Sequence, residues 1–226
     1  MKSDLNDVSF LILIRLDSIQ RLENIITVTN MLTKYFDTKI FVFEADSYNN
    51  GILKSLLSKK INYQFKEDKD PVLYKTKHIN SMIPDITSKY IAIWDADIVV
   101  NKNAILEAVS KLRSHKANVA YPYNGKCFNT SEILRAFFLK RKDIRLLYRH
   151  ISKMELLYKH PLVGGAVLVD KEKYIYAGME NEKHYGWSND DFDRYYRFER
   201  LGFEIYRVNT CLFHLSQGLS PYIQWT

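Results

Sequence analysis

The sequence predicts an α/β protein with a twisted, mainly parallel central sheet. Short β-branched and aromatic runs alternate with segments of helical periodicity over the first two-thirds of the chain, an order typical of parallel strands joined by helices. The 226 residues are 46% apolar and 26% charged, enough for one hydrophobic core, and no repeat or linker-like tract divides them. We therefore expect a single domain over residues 1–226, with its ligand crevice at the carboxyl ends of the strands.

The elements are predicted in order along the chain. Runs rich in Val, Ile, Phe and Tyr predict buried parallel strands at residues 8–16, 39–44, 61–65, 89–94 and 118–121, and residues 164–169 form a further strand-like run. Apolar residues at spacings of three and four predict helices at 19–36, 73–83, 102–114, 131–158 and 190–201. Asp17-x-x-Gln20 resembles a capping box at the start of the first helix.

Several classes of protein are excluded by what the sequence lacks. The longest apolar run, Val8 to Leu16, contains Arg15 and is too short to span a bilayer or act as a signal peptide, so we expect a cytoplasmic protein. Cys127 and Cys211 lie too far apart in sequence for a disulfide framework or a paired metal knuckle. No glycine pattern of the dinucleotide or P-loop type occurs, so any bound phosphate needs a metal or side chains.

The formal net charge of +7 is concentrated in one segment. Residues 133–160 hold eight Lys or Arg against Asp143 and Glu155, and so carry +6 of it. A nucleic-acid interface would draw basic residues from several elements, and no groove-reading motif occurs, so we expect no nucleic-acid partner. The segment is either a helix with its apolar stripe on the core and its charges in solvent, or a surface that rests on an anionic membrane.

Two carboxylates mark the first candidate site. The predicted strand 89–94 leads directly into Asp95-Ala96-Asp97. Carboxylates two residues apart at a strand end can present oxygens to one Mg²⁺ or Mn²⁺, which prefers oxygen ligands completed by water and substrate phosphates. The alternative is an acidic turn that caps the following helix.

The second candidate site combines aromatic and acidic side chains. Tyr185 and Trp187 flank a glycine, and three aspartates open the helix that follows, at positions 190, 191 and 193. Flat aromatic faces beside carboxylates can hold a sugar ring and take a proton from its hydroxyl. The alternative is that the aspartates only stabilise the helix N-terminus.

Taken in order, these motifs resemble the metal-dependent GT-A glycosyltransferases. The motifs are Trp94-Asp95-Ala96-Asp97, Gly164-Gly165, Tyr185 to Asp191, and His214, and they span about residues 8–217. The likeness is to the W-G-W-G-G-E-D-D-D signature of the beta-1,4-galactosyltransferases and polypeptide N-acetylgalactosaminyltransferases, with Ser188-Asn189 and Phe192 as departures. The resemblance implies a GT-A domain, a Rossmann-like nucleotide-sugar fold, with Mn²⁺ or Mg²⁺, a nucleotide-diphospho-sugar donor, and a glycan or lipid-linked acceptor.

The resemblance also implies a role for each residue at a matching position. The implied metal ligands are Asp95, Asp97 and His214, and the implied catalytic base is Asp191. The implied acceptor contacts are Tyr185, Trp187 and Asp190. The residues expected to hold the donor are Arg15, Asp17, Glu44, Lys77, Asn80, Asp95, Gly164 and Gly165.

Two enzymatic hypotheses follow. In the first, a sugar moves from a UDP-sugar to an acceptor hydroxyl with inversion, and Asp191 takes the hydroxyl proton. In the second, Asp95-Ala96-Asp97-Ile98-Val99 is the D-x-D-x-[TV] nucleophile motif of a haloacid-dehalogenase-type phosphatase, with Asp190 and Asp191 as its distal acids. That superfamily normally places the nucleophile on its first strand, whereas at least three predicted strands precede Asp95 here.

Overall fold

The structure, a computed structural model, describes residues 1–186 and 188–217. Within these ranges the strands are β1 (Ser3–Ile14), β2 (Phe36–Asp46), β3 (Asn62–Glu67), β4 (Tyr90–Trp94), β5 (Ile98–Val99), β6 (Val119–Tyr121), β7 (Cys127–Asn129), β8 (Glu155–Leu156), β9 (Ala166–Asp170), β10 (Ile205–Arg207) and β11 (Leu212–His214). The helices are α1 (Ile19–Tyr35), α2 (Ile52–Leu56), α3 (Lys75–Met82), α4 (Lys102–Arg113), α5 (Glu132–Arg141), α6 (Ile144–Arg149), α7 (Lys171–Tyr176) and α8 (Asp190–Arg200). Short 3₁₀ turns occupy Ile83–Asp85 and Ile151–Lys153.

A seven-stranded sheet forms the centre of the protein, in the order β10-β6-β9-β4-β1-β2-β3. Neighbouring strands are parallel except at β9, which is antiparallel to both β4 and β6. The predicted α/β class with a mainly parallel sheet is therefore confirmed. Because β9 alone is reversed, its first residues lie at the same edge as the carboxyl ends of the other six strands.

The pattern of apolar residues explains why these strands are central. All five residues of β4 are buried, and so are residues 166–169 of β9. Strands covered on both faces consist of continuous apolar runs rather than alternating ones, as both of these do. The strand ends are therefore where polar side chains can first reach solvent.

A smaller sheet of four strands, in the order β5-β11-β7-β8, lies beside the carboxyl edge of the central sheet. Its strand β11 is antiparallel to β5 and parallel to β7, with His214 opposite Ile98 and Asn129. β5 begins four residues after β4 ends. The small sheet therefore holds the segment that follows Trp94 against the last described strand of the chain.

Most predicted elements are present with shifted ends. The strand predicted as buried at 61–65 is present as β3 but is largely exposed at the edge of the central sheet. The single helix predicted at 131–158 is interrupted at Lys142, which has a left-handed backbone with φ 52°. Asp143 then caps a new helix by accepting from the Arg145 N–H at 3.0 Å, and a 3₁₀ turn and β8 follow. The start of α1 also differs, because Ser18 rather than Asp17 accepts the capping hydrogen bond, from the Arg21 N–H at 3.3 Å.

No helix in the described part of the chain combines the length and the apolar composition that a membrane span needs.

Candidate active site

A cavity of about 420 Å³ opens at the carboxyl edge of the central sheet. Its walls come from β1, α1, α3, β4 and the turn after it, β7, the start of α5, residues 157–165, the start of α8, and β11 with the segment after it. Apolar side chains such as Leu13 and Ile79 form part of the lining, and Asp95, Asp97, Asp191 and His214 contribute polar groups. The cavity lies where ligands bind in open α/β sheets, outside the carboxyl ends of the strands.

The turn after β4 holds Asp95 and Asp97 in place through backbone hydrogen bonds. The Asp95 N–H donates to the Gly165 carbonyl at 2.9 Å, which joins the turn to the reversed strand β9. The Asp97 carbonyl accepts from the Leu215 N–H at 2.9 Å. The indole N–H of Trp94 donates to the Ile98 carbonyl at 3.1 Å across the same turn. The turn that carries both carboxylates is therefore fixed by two other segments of the chain, at Gly165 and Leu215, and by one hydrogen bond within the turn itself.

His214 lies next to Asp97, as the predicted metal set requires. Its Nε2 is 3.6 Å from Asp97 Oδ2, and its Nδ1 is 2.8 Å from the side-chain oxygen of Asn129. A polar partner on one ring nitrogen is how histidine ligands are commonly oriented, and here it leaves Nε2 facing the carboxylate. Burial lowers the pKa of His214, but the charges of Asp97 and Asp95 outweigh this effect and raise its pKa overall.

The charges around Asp95 fit a divalent cation. Lys75 and Arg194 face four carboxylates, those of Asp95, Asp190, Asp191 and Glu180, so negative charge is in excess. Burial raises the pKa of Asp95 to about 6, against the effect of Lys75 and with that of the neighbouring carboxylates. Carboxylate oxygens and an imidazole are ordinary ligands for Mn²⁺. Asp95, Asp97 and His214 are the residues that would hold such an ion.

The ligand atoms are not assembled in this conformation. Among the residues that the structure describes, no three His, Cys, Asp or Glu side chains are close enough together to hold a metal ion. Asp97 Oδ2 instead accepts a hydrogen bond from the side-chain amide of Gln217. The donor chemistry therefore fits the ion, while the arrangement of the side chains in this conformation does not yet enclose it.

Lys75, at the start of α3, is the functional candidate that the sequence analysis missed. Its Nζ is 3.4 Å from Asp191 Oδ2, 3.5 Å from Asp190 Oδ2 and 3.8 Å from Asp95 Oδ1. Burial alone would lower its pKa, but the carboxylates of Asp191, Asp95 and Asp190 raise it well above the usual value. Lys75 and Ile79 are four residues apart on one face of α3 and both line the cavity, whereas Lys77 is on another face of the helix, and the sequence alone did not show which face meets the cavity.

Asp191 is held at the cavity by two cations and a glycine. Its Oδ1 accepts from Arg194 Nη2 at 2.5 Å, and Lys75 approaches Oδ2. A Cβ on Gly164 would overlap Asp191 Oδ2, so only glycine fits beside this carboxylate. Burial raises the pKa of Asp191, but Lys75 and Arg194 outweigh burial and lower it overall. Asp191 is therefore ionised and can accept a hydrogen bond from a hydroxyl.

The remaining predicted donor residues lie outside the cavity lining in the described part of the chain, apart from Asp95 and Gly165. Arg15 donates to the carbonyls of Ala45 and Asp70 at 3.0 and 2.8 Å and to Asp68 Oδ2 at 2.8 Å. Asp17 is exposed and pairs with Arg21, which does line the cavity. The guanidinium of Arg15 thus holds neighbouring backbone in place.

Glu44, Lys77 and Asn80 also have positions away from the cavity. Glu44 is fully buried and accepts from the Tyr63 hydroxyl at 2.6 Å, and burial raises its pKa. Lys77 is exposed, with its Nζ 5.8 Å from the centre of the Tyr74 ring. Asn80 donates to the Glu180 carbonyl and accepts from the Glu180 N–H, each at 2.9 Å. Their contact with a donor stays a prediction.

The predicted acceptor residues differ in position. Tyr185 is half exposed, donates to the Asp70 carboxylate and packs edge-on against Tyr74 with ring centres 5.4 Å apart. Asp190 is buried and faces Lys75. Trp187 lies outside the described residues. Among the described residues, the Asn189 side chain makes no capping bond, and Asp190, Asp191 and Asp193 lie in the first turn of α8, where negative charge favours the helix N-terminus.

Comparison with known proteins gives matches in structure but not in sequence. No protein-family model and no curated protein matches the chain. A variant of Drosophila β-1,4-galactosyltransferase 7, in complex with manganese, UDP-Gal and xylobiose, aligns with a TM-score of 0.56 at 16% identity, over 92% of this chain and 67% of that chain. The mannosyltransferase of Pyrobaculum calidifontis, in complex with GDP-Man and Mn²⁺, aligns with a TM-score of 0.60 at 13% identity, over 92% of this chain and 56% of that chain.

These matches establish the fold. The chain has the GT-A glycosyltransferase fold that the sequence resemblance implied, and it spans little more than half of the mannosyltransferase chain. The narrower likeness to the galactosyltransferase and N-acetylgalactosaminyltransferase signature is not supported by a family match and stays a prediction.

Proposed function

We propose that this chain is a metal-dependent, inverting glycosyltransferase. It would move a sugar from a nucleotide-diphospho-sugar, which we take to be a UDP-sugar, to a hydroxyl of a glycan or lipid-linked acceptor. The observation that carries the proposal is one cavity lined by Asp95, Asp97, His214 and Asp191, with Lys75 Nζ 3.4 Å from Asp191 Oδ2. The galactosyltransferase and mannosyltransferase that share this fold were both solved with manganese and a nucleotide sugar, which supports the same class of donor.

The chemistry assigned to the chain is proton transfer and charge balance. When bound, a divalent cation would neutralise the negative charge that develops on the leaving nucleoside diphosphate. Asp191 Oδ2 takes the proton of the acceptor hydroxyl while that oxygen bonds to the anomeric carbon and the carbon–phosphate oxygen bond breaks. The lowered pKa of Asp191 makes it a weak base, so its contribution depends on a fixed position during a late proton transfer.

Lys75 adds a cation to the same cavity. Its Nζ faces three carboxylates at 3.4–3.8 Å, so it can stabilise them while no other cation is bound. The roles of Arg15, Asp17, Glu44, Lys77 and Asn80 toward the donor remain hypotheses. The phosphatase alternative gains no support, because Asp95 follows the fourth strand of the chain, not the first.

We also propose that the basic segment contacts the inner face of an anionic membrane. Ile133, Phe137 and Arg141 are exposed along α5 at four-residue spacing, which places them in one row on the helix surface. Lys140 and Lys142 are exposed beside this row. Apolar side chains flanked by cations are typical of surfaces that lie at a membrane interface. Such a contact would suit a lipid-linked acceptor, since Ser131 and Glu132 line the cavity next to this row.

The donor and the metal can be tested by thermal melting. UDP-galactose, UDP-glucose and GDP-mannose are added with and without Mn²⁺, because a ligand that binds the native state raises Tm by mass action. We expect a rise that needs both the metal and one nucleotide sugar, and its loss in Asp97→Asn. If no nucleotide sugar shifts the Tm of the wild type in the presence of Mn²⁺, the proposed function is wrong.

The proposed base is tested separately from the donor site. Asp191→Asn should keep metal-dependent donor binding in calorimetry but transfer sugar at least a hundredfold more slowly, because a base acts in the chemical step. An equal loss of donor affinity would instead place Asp191 in the donor site. Unchanged turnover would reduce Asp191 to a structural residue.

A further inference from the structure

A buried ion-pair network lies behind Asp191, on the side away from the cavity. Arg194 is fully buried, and its guanidinium donates to Asp191 Oδ1 through Nη2 at 2.5 Å and to Glu180 Oε1 through Nη1 at 2.7 Å. The Tyr174 hydroxyl donates to the same Glu180 oxygen at 2.9 Å. The network therefore joins α7, the segment before α8, and α8, and it ends at the proposed base.

The sequence places Arg194 where it can reach this carboxylate. Arg194 is three residues after Asp191, a spacing that puts the two side chains on one face of α8. Arg197, one turn further on, makes a comparable set of contacts away from the cavity, with Asp193 Oδ2 at 2.9 Å and with the Met179 carbonyl at 2.7 Å. Two arginines of the same helix thus differ in whether their acidic partner faces the cavity.

The burial of Arg194 calls for an explanation other than stability. Taking a charged pair out of water costs about as much free energy as the pair regains, so an apolar packing would hold α8 equally well. Among the residues that the structure describes, the Nε of Arg194 and the Oε2 of Glu180 have no hydrogen-bond partner, which adds to that cost. What apolar packing cannot supply is the planar, two-armed geometry of a guanidinium, which fixes the orientation of the groups that it joins.

We propose that Arg194 is a positioning residue, which fixes the Asp191 carboxylate so that Oδ2 faces the cavity. This inference rests on the proposed function of Asp191 as a base. One oxygen of the carboxylate is tied to Arg194, and the other lies against Gly164 and near Lys75. Glu180 and Tyr174 in turn hold the second arm of the guanidinium. Rotation of the carboxylate is therefore restricted from both sides.

The test compares two arginine replacements on the same helix. Arg194→Met is combined with Glu180→Gln, so that no buried carboxylate is left without its partner, and Arg197→Met serves as the matched control. Turnover is followed as nucleotide released from UDP-galactose or GDP-mannose with Mn²⁺, whichever the wild type consumes. We expect the double variant to lose about a hundredfold in kcat with little change in donor KM, because misplacing a reacting group by about 1 Å costs that much. Arg197→Met should keep the kcat of the wild type.

The conservative variant and the unfolding data separate positioning from structure. Arg194→Lys keeps the positive charge but not the two-armed guanidinium. Its kcat should lie between that of Arg194→Met/Glu180→Gln and that of the wild type. Urea unfolding of Arg194→Met/Glu180→Gln and Asp191→Asn, alone and combined, should show effects that do not add, since the two side chains touch. The proposal is overturned if the double variant keeps its kcat, if donor KM rises in proportion, or if the unfolding effects add. If the wild type neither releases nucleotide from these sugars nor gains in Tm with any nucleotide sugar and Mn²⁺, the proposed function is wrong, and the unfolding experiment then tests only whether Arg194 and Asp191 are coupled.

Discussion

Gly164 sets how closely Asp191 can approach the start of the reversed strand. A Cβ at this position would overlap Asp191 Oδ2, and the backbone of Gly164 does not need a left-handed conformation. The glycine is therefore required for space next to a carboxylate, not for the shape of a turn. In the sequence analysis this residue was only one half of a Gly-Gly pair with an implied donor contact.

We expect Gly164→Ala to displace Asp191 and lower kcat at least tenfold while the protein stays folded. Overpacking of this kind costs about 1–3 kcal/mol of unfolding free energy. Gly202→Ala is the matched control, because Gly202 has φ +68° and open space around its Cβ position, so the substitution costs about 1 kcal/mol without touching the cavity. Steady-state turnover and urea unfolding of both variants check the expectation. Equal turnover in the two variants would contradict it.

Glu44 offers a test by pH. Because burial raises its folded pKa above the usual value of 4.5, the folded state binds this proton more tightly than the unfolded state does. The contribution of Glu44 to stability is thus fully present below about pH 4.5 and is lost as pH rises through the folded pKa. We therefore expect the difference in urea midpoint between Glu44→Gln and the wild type to shift in favour of the variant as the pH is raised from 4 to 7. Exposed Glu67, replaced in the same way, should show no such trend, and a trend shared by both variants would argue against the buried carboxylate.

At the level of elements, the basic segment divides into one buried arginine and several exposed cations. Arg135 on α5 donates to Asn24 Oδ1 at 2.8 Å, to the Gln20 carbonyl at 2.9 Å and to Glu23 Oε2 at 2.8 Å, all on or beside α1. Asn24 also donates to the Leu215 carbonyl at 2.9 Å. Arg135 thus attaches α5 to α1 next to the end of the smaller sheet, which is a structural role for a residue that the charge count had placed on the surface.

We expect Arg135→Met to destabilise the protein by about 3 kcal/mol, because it leaves buried polar partners on α1 without their donor. Lys140→Met on the same helix is the control, since an exposed lysine can be replaced within about 0.5 kcal/mol. Chemical denaturation of the two variants is the measurement. A similar cost for both would mean that α5 is not held by this contact.

The strands and helices that were predicted accurately are those whose pattern of apolar residues fits only one type of secondary structure. Residues 89–94 and 102–114 were predicted to within one residue of β4 and α4, because a continuous apolar run and a strong helical periodicity leave little choice. The helix at 131–158 was wrong because its apolar spacing continues across a break that depends on the backbone of Lys142. Asp143 was a visible N-cap signal inside that segment, and it marked the start of α6.

For the molecule as a whole, the exposed cations of residues 140–142 should direct its binding to anionic membranes. Wild type should sediment with phosphatidylserine vesicles at low salt and far less at high salt, since each Lys or Arg near the surface contributes about 1 kcal/mol. The Lys140→Gln/Arg141→Gln/Lys142→Gln variant should stay in the supernatant. The same charge removed elsewhere, in Lys59→Gln/Lys60→Gln/Lys66→Gln, should leave sedimentation unchanged. Equal loss in both variants would show that net charge alone is responsible.

The arrangement of the whole site was only partly predictable. Asp95 and Asp97 could be proposed because they follow a strand, at the edge of the sheet where ligands bind. The roles of Asp191 and His214 were implied by the family resemblance. Lys75, Arg194 and Gly164 could not be ranked by the same reasoning, because their importance depends on which way side chains face after packing. Arg15 shows the reverse case, since it follows the expected strand yet donates to Ala45, Asp68 and Asp70.

The pairing of β11 also has a consequence for the time course of folding. β11 joins β5 and β7, partners that precede it by about 85 to 115 residues, and its last residue is His214. Contacts between such distant parts of a chain form slowly, because a long loop must close before they are gained. On the ribosome, strands β1 to β4 can be complete while the segment that carries His214 has not yet been synthesised. The polypeptide would thus form the first strands of its central sheet before its proposed metal-binding residues can come together, because these need β11.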